Sequence, residues 1–360
     1  MSLLKETPYI QICVYKIMGI VQFSELKKPR LLERLWCVPF YLSFILLCWH
    51  YNTHPHPDVV IIEVIEIICN LENIVCMITT CFYFYRRNNT LQSVLIKIDK
   101  IRSDHDTTFT NRSKRILLIS LLALIFAFAP FMDTPPIFLI YIYFPITVNC
   151  FDLLFLSDIM TSIYAKFKLI NRKFELQAYS TCKIIKLKIL QQEVANSEIQ
   201  LMNELSYLHS SLVQIAITVC QNFTITILVS LVLWFQNVIT TIYYVLYQSI
   251  HDIDFNLDHV GNLIFLLYSF GWLFSLMEIF TGVEAEASKA CTLVHSAWHK
   301  YSAEAKINPK IRHLQLISVR LLSTKLRFSA RGFFDLDWKF FHLMVATVTT
   351  YVVILVQLYI

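Results

Sequence analysis

The basic residues of this chain alternate with its apolar runs in a strictly one-sided pattern. All 31 lysines and arginines lie in the four segments 1–34, 86–115, 165–211 and 281–339. The connections between the remaining apolar runs contain none, but they carry acidic side chains at Asp58, Asp133, Asp252, Asp254 and Asp258. Cytosolic loops of membrane proteins concentrate Lys and Arg. The pattern therefore predicts an N-terminus in the cytosol and, after seven crossings, a C-terminus outside.

Seven runs are long and apolar enough to span a bilayer, which needs roughly 20 apolar residues. With 56% hydrophobic and only 16% charged residues, the chain has too few charges to cover a soluble domain. The sequence predicts an all-α polytopic membrane protein with tryptophans Trp36, Trp49, Trp234 and Trp338 anchoring span ends at the interface. The predicted spans are 35–51, 59–85, 116–132, 138–164, 212–235, 263–280 and 340–359.

This division predicts four regions. They are a cytosolic N-terminal segment (1–34), a six-helix membrane bundle (35–280) with cytosolic loops 86–115 and 165–211, a cytosolic helical segment (281–339) and the last span (340–360).

Helical periodicity continues into two of the basic segments. Apolar residues recur from Leu187 to Leu208, leading into the fifth span, and from Ile311 to Leu321, before the seventh. Amphipathic helices of this kind bury one face. We expect helical extensions that pack into a cytosolic anchor bundle; a solvated linker is the alternative.

Several spans carry polar residues on one face. Glu63 and Glu66 begin a polar stripe on the second span, and Gln221 belongs to another on the fifth. Such groups face the bundle interior or water. Two interpretations remain open: hydrogen bonding between helices, or a ligand pocket near the outer end. The candidate pocket residues are Glu63, Glu66, Tyr141, Tyr143, Phe144, Tyr268, Trp272 and Gln221.

The last span has a face of different character. Hydroxyls at Thr347 and Thr350 are followed by Ile354, Gln357 and Leu358 toward the outer end. Such a stripe is a candidate pore lining, provided that several copies surround one axis. Simple packing against the bundle is the alternative.

The C-terminal sequence resembles a family signature. Residues 350–358 read TYVVILVQL, which is similar to the Thr-Tyr, five hydrophobic residues, Gln-Phe pattern of insect gustatory receptors, the relatives of insect odorant receptors. Upstream, residues 330–337, ARGFFDLD, resemble the turn before the last span in the same family. Leu358 departs from the usual phenylalanine.

The resemblance implies a homotetrameric, ligand-gated, non-selective cation channel that conducts Na, K and Ca. It implies a location in the plasma membrane of gustatory neuron dendrites, a small-molecule tastant for each subunit and possible heteromers with other gustatory receptors. By position, Ile354, Gln357 and Leu358 inherit the gate and filter of a pore-lining seventh span. Compared with the sugar-responsive branch of that family, the length of the chain favours bitter plant compounds; a sugar-responsive receptor and a co-receptor role are the alternatives.

Other classes fit the sequence less well. A G-protein-coupled receptor needs the N-terminus outside, which puts every basic residue on the wrong side. A proton-coupled transporter using Glu63, Glu66 and Asp152 remains an alternative, although no inverted repeat is visible. No enzyme signature, cofactor or metal site is predicted: His295 and His299 are spaced i, i+4 without the glutamate of a zinc peptidase. The spread of the basic residues does not indicate a nucleic-acid partner.

Overall fold

The computed structural model describes the C-terminal part of the chain most fully. The described residues are 74, 78, 90, 91, 93–98, 101, 136–186, 192–250, 257–302, 309–330 and 332–359. The first and third predicted spans, nearly all of the second, and Glu63 and Glu66 lie outside them.

The named elements of the described part are all helices. They are α1 (Pro136–Lys186), α2 (Gln192–Ile250), α3 (Leu257–Ser302), α4 (Pro309–Ser323) and α5 (Trp338–Tyr359). Both α1 and α4 begin at a proline. Proline suits this position because the first N–H groups of a helix have no acceptor within the helix, and because its fixed φ matches the first turn.

The three long helices exceed the thickness of a membrane. With 59 residues, α2 is about 88 Å long, against about 30 Å for the hydrocarbon core of a bilayer. Within the described residues, two stretches have the length and apolar composition to cross a membrane, Gln200–Tyr243 in α2 and Leu266–His299 in α3; Trp338–Ile354 in α5 is a shorter apolar helix. From residue 192 on, the helical segment predicted before the fifth span belongs to α2, while residues 187–191 lie outside the described part. The segment predicted before the seventh span belongs to α4, and α2 also continues past the predicted end of its span at residue 235.

Cross-helix contacts define the directions of these helices. Asn149 and Phe167 of α1 contact Ser230 and His209 of α2, in reversed order along the two chains, so α1 and α2 are antiparallel. Cys150 and Asn171 of α1 contact Tyr268 and Glu286 of α3 in the same order, so α1 and α3 are parallel. These directions are those expected of consecutive crossings.

The core lies along the seam between α1, α2 and α3 and continues under α4. Its largest fully buried side chains are phenylalanines: Phe155, Phe167, Phe174, Phe223, Phe280 and Phe328. The stripe Leu314, Ile317 and Leu321 of α4 is buried against this core, whereas Leu316, Val319 and Leu322 on its other face are exposed. The amphipathic pattern of this segment therefore reflects real packing.

A short hairpin joins α4 to α5. Leu336 N–H donates to the carbonyl of Phe328 and Ala330 N–H donates to the carbonyl of Phe334, both at 2.9 Å. Gly332 sits at the tip with a φ of 81°, a conformation that suits a residue without a Cβ. Asp337 then caps α5, its Oδ1 accepting from Phe340 N–H at 2.9 Å.

Candidate functional site

A cavity of about 50 Å³ lies between α1, α2 and α3. A cavity of this volume can hold a few water molecules. It is bounded by the predicted spans four, five and six. Its lining residues are Asn149, Cys150, Leu153, Ser230, Leu233, Trp234, Asn237, Tyr268, Ser269 and Trp272.

Ser230 and Asn149 form the polar side of the cavity. Ser230 Oγ lies 2.6 Å from Asn149 Oδ1 and 2.5 Å from the carbonyl oxygen of Thr226. A hydroxyl has one proton and can donate it to only one of these acceptors at a time. A ligand that donates to Asn149 can therefore replace Ser230, whose proton then turns to its own helix.

The aromatic side of the cavity is held by contacts between helices. Tyr268 OH lies 2.8 Å from Cys150 Sγ, and Trp234 Nε1–H donates to the carbonyl of Ser269 at 2.8 Å. The ring of Phe270 meets Trp234 edge to face at 5.4 Å between centroids. These bonds hold the orientation of two of the aromatic side chains that line the space.

None of the described lining residues carries a formal charge at neutral pH. Amide, hydroxyl, thiol and aromatic groups recognise a ligand by shape, stacking and neutral hydrogen bonds. An ion in this space would lose its hydration without gaining a counter-charge from these residues. The chemistry of these lining groups therefore favours an uncharged molecule over an ion.

The predicted pocket residues divide into three groups. Tyr268 and Trp272 line the cavity. Gln221 is exposed on α2 and does not line it. The backbone of Tyr141, Tyr143 and Phe144 belongs to α1, but their side chains lie outside the described part, as do Glu63 and Glu66 entirely.

Sequence reasoning missed several lining residues. Cys150, Ser230, Asn237 and Ser269 carry no motif, and they meet only because three long helices pack together. Trp234 was predicted to anchor its span at the membrane interface, and this is wrong: only 5% of it is exposed. Its indole N–H finds a carbonyl on α3 instead of water or a headgroup.

The predicted pore residues lie on α5. The side chains of Thr350, Ile354 and Gln357 are exposed, and Thr347 is partly exposed. The hydroxyls of Thr347 and Thr350 donate to the carbonyls of Leu343 and Ala346 in their own helix, at 2.8 and 2.9 Å. The backbone of Leu358 is helical, and its side chain lies outside the described part.

Aromatic contacts attach α5 to the other helices at two levels. Phe274 of α3 packs on Trp338 at 4.9 Å and on Phe341 at 6.3 Å. Farther along, Phe235 of α2 meets Tyr351 edge to face at 5.6 Å. Among the described residues, nothing covers the face with Thr350, Ile354 and Gln357.

Comparison with known proteins agrees with this architecture. No curated protein sequence is significantly similar to the chain. The insect olfactory receptor OR5 from Machilis hrabei has a similar structure, with a TM-score of 0.59, 13% identity and 97% of each chain covered. Its complex with eugenol matches with a TM-score of 0.56, again at 13% identity, covering 97% of this chain and 98% of that one. At this identity the match shows a shared fold, that of a seven-helix insect olfactory receptor.

The sequence itself matches a family model almost from end to end. The model of the 7tm Chemosensory receptor family aligns with residues 10–360, which include the helices of the cavity, the hairpin and α5. An enzyme is excluded by the same match. The chain is thus a multi-pass membrane protein that belongs to the 7tm chemosensory receptor family.

Proposed function

We propose that the chain is a gustatory receptor that works as a ligand-gated, non-selective cation channel. Its ligand is a small, uncharged molecule of the bitter plant-compound class, whose binding site includes residues that line the cavity between α1, α2 and α3. The observation that carries the proposal is the combination of an uncharged, aromatic-lined cavity with a helix, α5, whose polar face is not covered by the described residues. The solved complex of the structurally similar OR5 with eugenol supports a small-molecule ligand.

The pore is formed by several copies of α5 around one axis, and four copies are proposed from the resemblance. Ile354 and Leu358 then form apolar rings that close the pore by dewetting, and Gln357 presents a ring of amides. Amides replace part of the hydration shell of an ion without a charge, so Na, K and Ca all pass. The hydroxyls of Thr347 and Thr350 bond their own helix, so this wall offers ions few groups that bind tightly.

The cation preference comes from outside the narrow part of the pore. The predicted outer connections carry five aspartates and no basic residue. These charges raise the local cation concentration, an effect screened beyond about 8 Å at physiological ionic strength. The working location proposed for the assembly is the plasma membrane of a gustatory neuron dendrite, as a homotetramer or with other gustatory receptors.

The test is expression of the full chain in a cell line, with whole-cell current recorded during application of bitter compounds, sugars and odorants. The expected result is an inward cation current evoked by a bitter compound and unchanged by a non-hydrolysable GDP analogue in the pipette. A current that follows the proton gradient instead of the cation gradient would indicate the transporter alternative. A sugar-evoked current would correct the ligand class, and silence of a surface-expressed receptor across the panel would contradict the proposal.

A further inference from the structure

The hairpin between α4 and α5 is fastened to α3 by one carboxylate. Glu284 Oε1 accepts the backbone N–H of Phe328 at 2.7 Å. The side chain of Phe328 is 1% exposed, and its ring meets Phe280, one turn before Glu284, at 5.0 Å. One residue of the hairpin is thus held both by its backbone and by its ring.

A second contact attaches the same hairpin to α2. Cys220 Sγ lies 3.9 Å from the carbonyl oxygen of Ser329, a weak contact at the limit for sulfur. Ala330 and Leu336 are fully buried beneath the turn. The hairpin therefore rests on both α2 and α3, and it leads through the Asp337 cap directly into α5.

The two helices that hold the hairpin also line the ligand cavity. Trp272 of α3 lies twelve residues before Glu284, about 18 Å along the helix axis. Ser230 of α2 lies ten residues after Cys220, about 15 Å in the same direction. A ligand that shifts α3 relative to α2 therefore also moves the two surfaces that the hairpin contacts, because α2 and α3 are continuous helices between the cavity and the hairpin.

The charges around Glu284 make this attachment sensitive to protonation. Glu284 is half-buried and lies beyond the predicted end of the sixth span, in the segment predicted to be cytosolic. Burial raises its pKa above the usual value, and the carboxylates of Asp335 and Asp337 raise it further, while the bond from Phe328 and the charge of Arg327 lower it. From α2 the facing titratable group is the thiol of Cys220.

We propose that Glu284 is a positioning residue that clamps the hairpin, and through it the start of α5, to the helices of the ligand cavity, so that it transmits ligand binding to the pore. The proposal rests on the proposed channel function. The bond to Phe328 gives α5 a fixed attachment to α3, and without it the cavity can change shape while α5 stays in its resting position. The clamp acts on the coupling between ligand and pore and touches neither of them.

Acid should favour the docked hairpin. The bond from Phe328 by itself favours the ionised carboxylate, but burial and the nearby carboxylates of Asp335 and Asp337 outweigh it and raise the pKa of Glu284. A carboxyl whose pKa is raised in the docked state binds its proton more tightly there than when released, so acid favours docking. The effect is present at lower pH and is lost as the pH rises through the raised pKa. Mild acidification of the cytosol should therefore increase the current evoked by a fixed, subsaturating agonist concentration.

The first experiment compares Glu284→Ala, Glu284→Gln and the control Glu175→Gln, which removes an exposed charge on α1. In cells with equal surface expression, Glu284→Ala should lower the maximal agonist current about tenfold, because the buried Phe328 N–H loses its acceptor. Glu284→Gln keeps an acceptor oxygen and should keep the current. Glu284→Gln should also abolish the increase in agonist current on cytosolic acidification, whereas the control Glu175→Gln should retain it.

A merely structural role would not remove the pH response while sparing the current. If Glu284→Gln responds to acidification as the wild type does, or if Glu284→Ala at the surface gives a wild-type current, the proposal is overturned. Should Glu284→Ala fail to reach the surface, the pH profile of Glu284→Gln decides alone.

The second experiment separates the clamp from the channel. Hydrogen–deuterium exchange on the purified full chain should show faster exchange in residues 326–337 of Glu284→Ala than of the wild type, with no change for Glu284→Gln. Suppose that the wild type gives no agonist current while exchange in residues 326–337 is still faster in Glu284→Ala than in the wild type. In that case the clamp is supported and the channel function is contradicted. Equal exchange in the wild type and Glu284→Ala would overturn the clamp, whatever the currents show.

Discussion

The helices α1–α3 and the helix α5 are all apolar, but their apolar side chains are buried to different extents. The seam between α1, α2 and α3 buries large aromatic side chains completely, with Phe155, Phe167 and Phe280 at 0% exposure. On α5, Val348 is the most buried of the described apolar residues, while Leu343, Val353 and Ile354 are 62%, 49% and 46% exposed. Among the described residues, α1–α3 therefore find most of their packing partners, whereas much of α5 does not.

This difference indicates which mutations should affect stability and which should affect function. A side chain buried on every side contributes to folding through packing, and its removal leaves a cavity. A side chain exposed in the subunit contributes little to its folding, so its chemistry is free to serve a pore. The predictions below test this division of roles.

The largest effect is expected from a charge on the uncovered face of α5. Gln357→Lys should abolish cation current, because a ring of positive charges repels cations from the axis. Gln357→Glu should instead raise calcium permeability relative to sodium, since carboxylates hold a divalent ion more strongly than amides do. Reversal potentials in mixed ionic solutions measure both.

The matched control for this pair is Gln200→Lys, which places the same charge on an exposed amide of α2. It should leave current and selectivity at the wild-type level. Equal permeability ratios in all three variants would show that α5 does not line the pore.

A second prediction compares one packing residue with one pore residue. Phe280→Ala should reduce the free energy of unfolding by about 3–5 kcal/mol, as for other buried phenylalanines. Ile354→Ala should change it by less than about 0.5 kcal/mol, since the side chain is 46% exposed. Thermal unfolding of the purified protein in detergent measures the two losses.

In current recordings, the order of the two effects should be reversed. Ile354→Ala should raise the ligand-independent current, because a wider and less apolar constriction wets more easily. Phe280→Ala should lower current only in proportion to the lost surface protein. A stability loss for Ile354→Ala as large as that for Phe280→Ala would remove the distinction between the two regions.

A third, smaller effect is expected at the cavity. Trp272→Ala should shift the agonist concentration for half-maximal current upward about tenfold, the consequence of losing roughly 1.4 kcal/mol of ligand contact. Ion selectivity should not change, because the cavity lies apart from α5. Leu267→Ala, on an exposed position of the same helix, is the control and should leave the dose–response curve in place.

The smallest effect is expected for Ser230→Ala. This variant removes the hydroxyl that lies between Asn149 and Thr226, and one such hydrogen bond contributes about 1 kcal/mol to stability. The amide of Asn149 then remains available to the ligand. We expect a slightly lower unfolding temperature with an unchanged or tighter agonist response; a loss of response would show that the hydroxyl itself binds the ligand.

Much of the architecture could be predicted from local patterns. The amphipathic stripe at Leu314, Ile317 and Leu321 predicted a packed cytosolic helix, and these residues are buried in α4. Tyr268 and Trp272, chosen for depth and chemistry, line the cavity. Trp234 shows the limit of such reasoning, since its place at a span end predicted an interfacial anchor and its indole is buried between helices.

That the chain is a helical membrane protein of the chemosensory family could be read from its residues alone, because hydropathy, charge asymmetry and the C-terminal signature are local properties of the chain. Which residues meet became visible only in the packed helices. Asn149 with Ser230, and Cys150 with Tyr268, are 81 and 118 positions apart. Nothing in the periodicity marked Glu284 as the acceptor for Phe328, because a helix pattern specifies which face is buried but not which backbone group on another segment that face will meet.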